Sequence, residues 1–216
     1  WREYLNVLIL TCKHMEERVL LLSNCSFYRV TTIDELDSFC CGDIDLDDFF
    51  HNEACLYDEQ LLGKSYFFST KWKGHDEIVC AFTLANDSIK AALIPNASRN
   101  KIQRKIPNSK RTRSYPAVLI GRLGVSTLFQ GSNNAVGSQV IDYIISWFLL
   151  PNNKTGCRFI VVDAYNNENV RHFYEKNGFK LLYQTEEQEK EANHIPVSDK
   201  LTSRMMYLDL LRYVKK

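Results

Sequence analysis

The pattern of apolar and polar positions along the chain predicts a sheet whose strands alternate with a few helices. Runs rich in β-branched and aromatic residues predict strands over residues 26–32, 65–72, 78–87, 117–125, 158–164, 179–183 and 203–213. Apolar residues three and four apart predict helices over 44–62, from about 136 to 149, and over 167–178. The order β-α-β-β-β-α-β-α-β-β is an α/β (α+β) pattern, in which helices flank one mixed sheet.

The predicted helix ends and connections carry their own local signals. Asp43 or Asp45 can cap the first helix, and Gly178 is a good C-cap for the third. Residues 73–77 form a plausible hairpin turn between two strands. Residues 96–114 form a basic, loop-like segment, and residues 185–200 form an acidic connection between the last two strands.

Length and composition predict one globular domain. The chain has 216 residues, of which 45% are hydrophobic and 12% aromatic. We expect a single domain over residues 25–216, preceded by an extension over 1–24 whose role cannot be inferred. No run of 18 apolar residues occurs, so we expect no membrane span. The seven cysteines are odd in number and form no CxxC motif, which favours a reducing cytoplasm over a disulfide framework.

One group of potential metal ligands stands close together in sequence: Cys40, Cys41, His51 and Cys55. The spacing of this group matches no standard zinc motif, and cysteine is a common small core residue. We therefore predict no metal site.

Charge is nearly balanced overall but unevenly distributed. The formal net charge is +1, residues 34–59 are rich in Asp and Glu, and residues 88–141 contain no acid. The basic residues between Arg99 and Arg113 could bind a phosphate or an RNA backbone, and a solvated flexible loop is the alternative. The acidic stretch could attract a cationic substrate, with solvated helix faces as its alternative.

The connection after the strand 117–125 is small and polar, and it opens a helix. Gly131, Ser132, Gly137 and Ser138 let a phosphate approach free backbone N–H groups at the positive end of the helix dipole. The sequence is neither a Walker loop nor a dinucleotide fingerprint. On these residues alone, an ordinary strand-to-helix connection is equally compatible.

A second motif follows about thirty residues later. The loop in LGV…QGSNNAVGS and the helix in N-x-x-V-x-x-F-Y-E-K-N-G-F occur in that order, and together they resemble the GCN5-related N-acetyltransferase superfamily over about residues 26–213. The resemblance implies a mostly antiparallel sheet flanked by helices, acetyl-CoA as cofactor, and transfer of an acetyl group to a primary amine by direct attack.

The resemblance also implies roles for individual residues. Tyr174 would act as the general acid. The residues around acetyl-CoA would be Leu123, Val125, Gln130, Gly131, Ser132, Val136, Gly137, Ser138 and Asn167. Leu123 and Val125 would contact the pantetheine through the main chain. Asp163 is open as a base or a structural residue, so the general base stays unassigned.

Two further stretches resemble the toxin-type acetyltransferases of bacterial toxin–antitoxin pairs, which acetylate aminoacyl-tRNA. They are 39-FCCGDIDLDDFFHNEA-54 and 116-PAVLIGRLGV-125. The chain departs from this group by a long insert before Pro116, by two extra residues at Asn133 and Asn134 with Ala135 in place of a glycine, and by the acidic segment after Tyr183.

Three functions therefore stay open on the sequence. They are an N-acetyltransferase of a small amine, an acetyltransferase of aminoacyl-tRNA, and a degenerate fold that only binds. The resemblance leaves the formation of a homodimer and the existence of an antitoxin partner undecided.

Overall fold

A computed structural model of the chain describes residues 21–94, 96, 99–100, 114–131 and 135–214. Its strands are β1 (Ser26–Arg29), β2 (Lys64–Trp72), β3 (His75–Lys90), β4 (Ser114–Val125), β5 (Phe159–Tyr165), β6 (Lys180–Leu181) and β7 (Ser203–Asp209). They form a seven-stranded sheet of order β1-β2-β3-β4-β5-β7-β6. The pairs β1–β2, β2–β3, β5–β7 and β6–β7 are antiparallel, which confirms the predicted fold class.

The α-helices are α1 (Ile44–Asp48), α2 (Ala54–Glu59), α3 (Val136–Phe148), α4 (Glu168–Lys176) and α5 (Glu186–Ala192). A π-helical turn over Phe49–Glu53 joins α1 to α2, and short 3₁₀ turns occupy Leu21–Asn24, Ile33–Leu36, Ala91–Leu93 and Leu210–Arg212. Among the described residues, no helix is long and apolar enough to cross a membrane.

The chain divides into two compact units. The first comprises Trp1–Asn86 with Ile120–Lys154, and the second comprises Asp87–Leu119 with Thr155–Lys216. Strands β3 and β4 each contribute residues to both units. The expected single domain over residues 25–216, with an extension over 1–24, stays a prediction.

The core of the first unit lies beneath α1 and α2. Its buried members are Val30, Leu36, Phe39, Cys41, Phe49, Phe50, Ala54, Phe67, Ile78 and Ala81. Phe49 and Phe50 are consecutive residues of the π-helical turn and both lie in this core, where their rings are 5.4 Å apart. The helix predicted over 44–62 is therefore interrupted, and it ends at Glu59.

The second unit has its own core around β5 and β7. Its buried members are Ile89, Ala91, Ile94, Tyr115, Ala117, Phe159, Val161, Leu182, Tyr183 and Tyr207. The ring of Phe159 packs edge-on against Tyr115 and Tyr207, with centroids 5.7 Å apart in both pairs. Edge-to-face packing of this kind adds to the energy of area burial.

Several predicted connections differ from the structure. The hairpin turn is only Lys73 and Gly74, both with positive φ, which suits the twist of the strands β2 and β3. The strand predicted over 179–183 is only Lys180–Leu181, and the strand predicted over 203–213 ends at Asp209. Most of the basic segment predicted to be a loop, residues 101–113, lies outside the described residues.

The helix α5 lies where an acidic connection was expected. Thr185 accepts a hydrogen bond from Gln188 N, and the Gln188 side chain accepts one from Gln184 N. The pattern Thr-x-x-Gln is a capping-box signature. This local signal was present in the sequence and was missed because the segment has few apolar residues.

Candidate functional site

The end of β4 is packed tightly against the segment that precedes α1. A Cβ atom on Gly124 would lie 3.0 Å from Phe39 Cζ and 3.2 Å from Cys41 Sγ, which is closer than ordinary van der Waals contact. A larger residue would require the side chains of Phe39 and Cys41 to shift by a few tenths of an ångström, so glycine suits this close approach. The two stretches that resemble the toxin-type enzymes therefore meet directly in the first unit, and Leu123 and Val125 lie half-buried beside Gly124.

Asp47 organises the turn before α1. Its carboxylate accepts hydrogen bonds from Cys41 N at 2.7 Å and Gly42 N at 3.2 Å, and from the Cys40 thiol at 3.4 Å. Burial acts to raise the pKa of Asp47, but these hydrogen bonds outweigh it and hold the pKa below its ordinary value. Gly42 supplies the left-handed conformation, with φ +82°. This part of the toxin-like signature therefore has a structural explanation.

The cysteines near Asp47 are not arranged as metal ligands. Burial raises the pKa of the Cys41 thiol to about 12, so the thiol is protonated at neutral pH. His51 Nε2 lies 2.7 Å from the carbonyl oxygen of Phe39. Among the described residues, no group of three or more His, Cys, Asp or Glu is arranged to hold a metal ion.

Gln130 clamps the loop after β4. Its Nε2 donates to Cys41 O at 2.6 Å and to Val125 O at 2.7 Å. The backbone of the turn closes on itself, because Phe129 N and Gln130 N both donate to Ser126 O. The Gln130 side-chain amide thus holds the loop in place, and the role predicted for Gln130 at a pyrophosphate stays a prediction.

The N-terminus of α3 is open. Its N-cap residue, Ala135, is in the left-handed conformation (φ +50°, ψ +50°) and offers no side-chain cap. Ser138 N and Gln139 N donate to Ala135 O, whereas the N–H groups of Val136 and Gly137 have no hydrogen bond among the described residues. The first turn also contains no acidic residue. The positive end of a 13-residue helix that has no side-chain cap and no acid in its first turn suits an anionic ligand.

Tyr174 lies in the second unit on the buried side of α4. Its ring packs against Phe173 and Phe179 at centroid distances of 5.0 and 5.2 Å. Burial raises the pKa of the Tyr174 phenol well above its ordinary value, so the phenol keeps its proton at neutral pH. No hydrogen bond to the phenol occurs among the described residues. The geometry therefore provides a protonated phenol whose donor is not used by any other described residue of the unit.

The helix α4 lies between Asn167 and Gly178, close to the predicted range of 167–178. The Asn167 side chain accepts a hydrogen bond from Val170 N at 2.9 Å, and Gly178 has φ +90° and donates to Glu175 O. His172 is exposed on the opposite side of α4 from Tyr174, and Asp163 is exposed on β5. Asn167 is thus a helix cap, and its role near acetyl-CoA stays a prediction.

Some predicted site residues lie outside the description. Ser132 and the additional residues Asn133 and Asn134 are not among the described residues, and Gly131 is exposed with φ +63°. Of the basic stretch, Arg99 is described, and its guanidinium donates to the Asn96 side chain.

Comparison with known proteins identifies related acetyltransferases. No protein-family model matches this sequence. The chain is 28% identical over 153 residues to the tRNA-acetylating toxin of Mycobacterium tuberculosis, which covers 71% of this chain and 82% of the toxin.

Three solved structures have a similar fold. A Tyr-to-Phe mutant of KacT has a TM-score of 0.63 at 15% identity and covers 88% of this chain and 97% of its own. AtaT complexed with acetyl-methionyl-tRNAfMet has a TM-score of 0.59 at 19% identity, with 87% and 96% covered. A Tyr-to-Phe mutant of AtaT bound to the C-terminus of the antitoxin AtaR and acetyl-CoA has a TM-score of 0.54 at 15% identity, with 88% and 96% covered. The chain therefore has the fold of the GCN5-related N-acetyltransferase superfamily and is similar to tRNA-acetylating toxins.

Proposed function

We propose that the protein is an acetyl-CoA-dependent N-acetyltransferase that transfers an acetyl group to a primary amine, and that this amine is the amino group of an aminoacyl-tRNA. The observation that carries the cofactor is the N-terminus of α3, which has neither a side-chain cap nor an acidic residue in its first turn, unlike α1, α4 and α5. A pyrophosphate supplies the negative charge and the acceptor oxygens that such a helix end attracts.

The choice of acceptor rests on the sequence similarity. The toxin of M. tuberculosis, which is named for tRNA acetylation, is similar over most of its length. The stretches of this sequence that resemble toxin-type acetyltransferases contain the contact between Gly124 and Phe39 and the turn organised by Asp47. The alternative acceptor is a small free amine, and the basic residues between Arg99 and Arg113 favour an RNA instead.

The proposed reaction forms one C–N bond and breaks one C–S bond. The neutral amine attacks the thioester carbonyl, and a backbone N–H of β4 near Val125 stabilises the oxyanion, since the N–H groups of Ser126 and Thr127 already donate to Val79 O and Cys40 O. The amine loses a proton, and the sulfur of CoA gains one. A thiol has a pKa of about 8.5, whereas burial raises the pKa of the Tyr174 phenol above its ordinary value.

The phenol is therefore a weaker acid than the thiol that it would protonate. We infer that Tyr174 stabilises the departing thiolate mainly by donating a hydrogen bond, while the proton that finally reaches the sulfur comes from the attacking amine. This refines the role of general acid that the sequence implies for Tyr174.

The first experiment is calorimetric titration with acetyl-CoA and with the analogue that lacks the 3′-phosphate. We expect acetyl-CoA to bind, and weaker binding of the analogue would assign part of the basic segment to the 3′-phosphate. Transfer of labelled acetyl is then compared between aminoacyl-tRNA and the free amino acid. No transfer to aminoacyl-tRNA in the presence of bound acetyl-CoA would reject this acceptor. No binding of acetyl-CoA would favour the third candidate, a fold that acts only as a binding module.

Tyr174→Phe tests the proposed chemistry directly. We expect kcat to fall about 100-fold, because the thiolate loses its hydrogen-bond donor, while the Kd for acetyl-CoA stays near that of the wild type. Tyr183→Phe is the matched control, since it removes the hydroxyl of another buried tyrosine in the same unit. A fully active Tyr174→Phe enzyme would exclude Tyr174 from the reaction.

The similarity also suggests a protein partner and a cellular location for this chain. AtaT binds the C-terminus of an antitoxin in one of the similar structures, and we propose an antitoxin as a partner of this chain. Because charged tRNA is used in translation, we place the activity in the cytoplasm of a bacterium. Formation of a homodimer stays a prediction, and the molar mass in solution would test it.

A further inference from the structure

The helix α5 lies between β6 and β7, in the acidic segment where the chain departs from the toxin-type sequence pattern. Most of α5 faces solvent, but Glu189 is 2% exposed although it is an acid. A buried carboxylate must be paired and hydrogen-bonded to be tolerated. The partners of Glu189 therefore indicate what holds α5 on the second unit.

Glu189 is paired with Arg204 of β7, which is 3% exposed. Glu189 Oε2 accepts from Arg204 Nε at 2.6 Å, and Glu189 Oε1 accepts from Met205 N at 2.6 Å. Arg204 also donates from its second terminal nitrogen to Tyr183 O at 3.2 Å. Each oxygen of the carboxylate has a donor, so α5 is anchored to β7 by a fully bonded ion pair.

A second acid of α5 reaches the connection between β5 and α4. Glu186 Oε1 accepts from Asn166 Nδ2 at 2.8 Å and lies 4.0 Å from a terminal nitrogen of Arg204. Asn166 is also held by the segment after α5, since its Nδ2 donates to Leu201 O at 3.0 Å and its N–H donates to Thr202 O at 2.8 Å. The connection contains only Asn166 and the N-cap Asn167, so α5 fixes the residue next to the cap.

We infer that α5 is a brace that positions the start of the Tyr174 helix, with Asn166 and Glu186 as positioning residues for acetyl transfer; this inference rests on the proposed function. Glu186 lies within ion-pair distance of Arg204, the buried partner of Glu189, and accepts a hydrogen bond from Asn166; the cap at Asn167 then sets the direction of α4. Neither Asn166 nor Glu186 belongs to the residues proposed to bind acetyl-CoA. A small displacement of a reacting group lowers kcat more than it weakens the binding of the substrate.

The test compares Asn166→Ala and Glu186→Ala with the conservative Glu186→Gln, which keeps an oxygen acceptor for Asn166. Glu191→Ala is the matched control, because Glu191 is exposed on the same helix. We expect Asn166→Ala to lower kcat about tenfold and Glu186→Ala to lower it less. Glu186→Gln and Glu191→Ala should stay within about twofold of the wild type, and the Kd for acetyl-CoA should hardly change in any variant.

Hydrogen exchange supplies a readout that does not need activity. The N–H of Val170, which donates to the Asn167 cap, should exchange about tenfold faster in Asn166→Ala and at the wild-type rate in Glu191→Ala. An unchanged exchange rate together with an unchanged kcat would overturn the brace. Equal losses of activity in Glu186→Gln and Glu186→Ala would also overturn it, because the acceptor oxygen would then not matter. If the wild-type chain transfers no acetyl group, the proposed function fails, and the exchange rates still decide whether α5 braces α4.

Discussion

Two strand-to-helix junctions in this molecule treat the free N–H groups at the start of the helix differently. At the β5–α4 junction two residues suffice, and the Asn167 side chain accepts the hydrogen bond of Val170 N. At the β4–α3 junction the connection is longer, the N-cap Ala135 offers no side-chain acceptor, and Ser138 N donates to the Ala135 carbonyl instead. The helices α1 and α5 follow the first solution, with caps from Asp43 and Thr185.

The difference shows how stability and ligand binding are separated in this chain. At the capped end of α4 the Asn167 side chain occupies one donor, and Glu168 in the first turn repels an anion. An uncapped end costs about 1 kcal/mol relative to a capped one, and it leaves donors for a ligand. The loop before α3 compensates elsewhere, because the Gln130 amide bonds two carbonyl groups of the same unit.

The largest effect is expected when an acid is added to the N-terminus of α3, because this change makes that helix end resemble the N-terminus of α4. In Ser138→Asp, the new carboxylate would stabilise the first turn of α3 by about 0.5 kcal/mol. It would repel a pyrophosphate by about 3 kcal/mol, so the Kd for acetyl-CoA should rise about 100-fold. Calorimetry and thermal unfolding measure the two opposite effects.

The matched control places an acid in the first turn of the capped helix. Asn169→Asp in α4 should leave the Kd for acetyl-CoA within about twofold of the wild type. If Ser138→Asp binds acetyl-CoA as tightly as the wild type, the N-terminus of α3 does not hold the pyrophosphate.

Removal of the side-chain N–H donor of Gln130 should show how much this residue stabilises the β4–α3 junction, which has no side-chain cap. Gln130→Glu keeps the shape of the side chain but sets a carboxylate against the carbonyl oxygens of Cys41 and Val125. We expect the free energy of unfolding to fall by about 2 kcal/mol, because two hydrogen bonds are replaced by repulsion. Urea unfolding measures the change.

Gln130→Met separates the loss of the hydrogen bonds from the repulsion, and it should cost less than Gln130→Glu. Equal stability of Gln130→Glu and the wild type would mean that the amide does not clamp the loop.

The smallest expected effect concerns Ala135, the residue in the left-handed conformation at the open junction. An L-residue in this conformation is strained by about 1–2 kcal/mol, whereas glycine is not. Part of the gain is lost to the greater freedom of glycine in the unfolded chain. We therefore expect Ala135→Gly to stabilise the protein by about 0.5–1 kcal/mol, seen as a higher Tm. Ala135→Val should act in the opposite direction, since β-branched residues tolerate this conformation poorly.

Local signals explain which parts of the fold could be predicted from the sequence. The helix α4 was predicted almost to the residue, because its cap Asn167 and its terminator Gly178 act within one turn of the chain. The helix α5 was missed, although Thr185 caps it and Gln188 follows at the spacing typical of a capping box. Its anchor is the pair formed by Glu189 and Arg204, 15 residues apart, and no local pattern indicates that an acid in a charged segment will be buried.

For the site, the resemblance of the sequence was informative about residue identities and less informative about their contacts. The motif selected Tyr174, whose burial and raised pKa follow from its position on the inner side of an amphipathic helix. It also selected Gln130, but the side chain makes contacts with a segment 89 residues away in sequence. Such a contact depends on how the loop packs in the first unit.

The sequence alone therefore determined the order of the strands, the capped ends of α1 and α4, and the similarity to acetyltransferases, because each of these depends on neighbouring residues or on short motifs. Only the tertiary structure decided that Gln130 bonds Cys41 and Val125, that Gly124 lies against Phe39 and Cys41, and that Glu186 and Glu189 bond Asn166, Arg204 and Met205. These features depend on distances between residues far apart in the chain, and the packing of the folded core sets those distances.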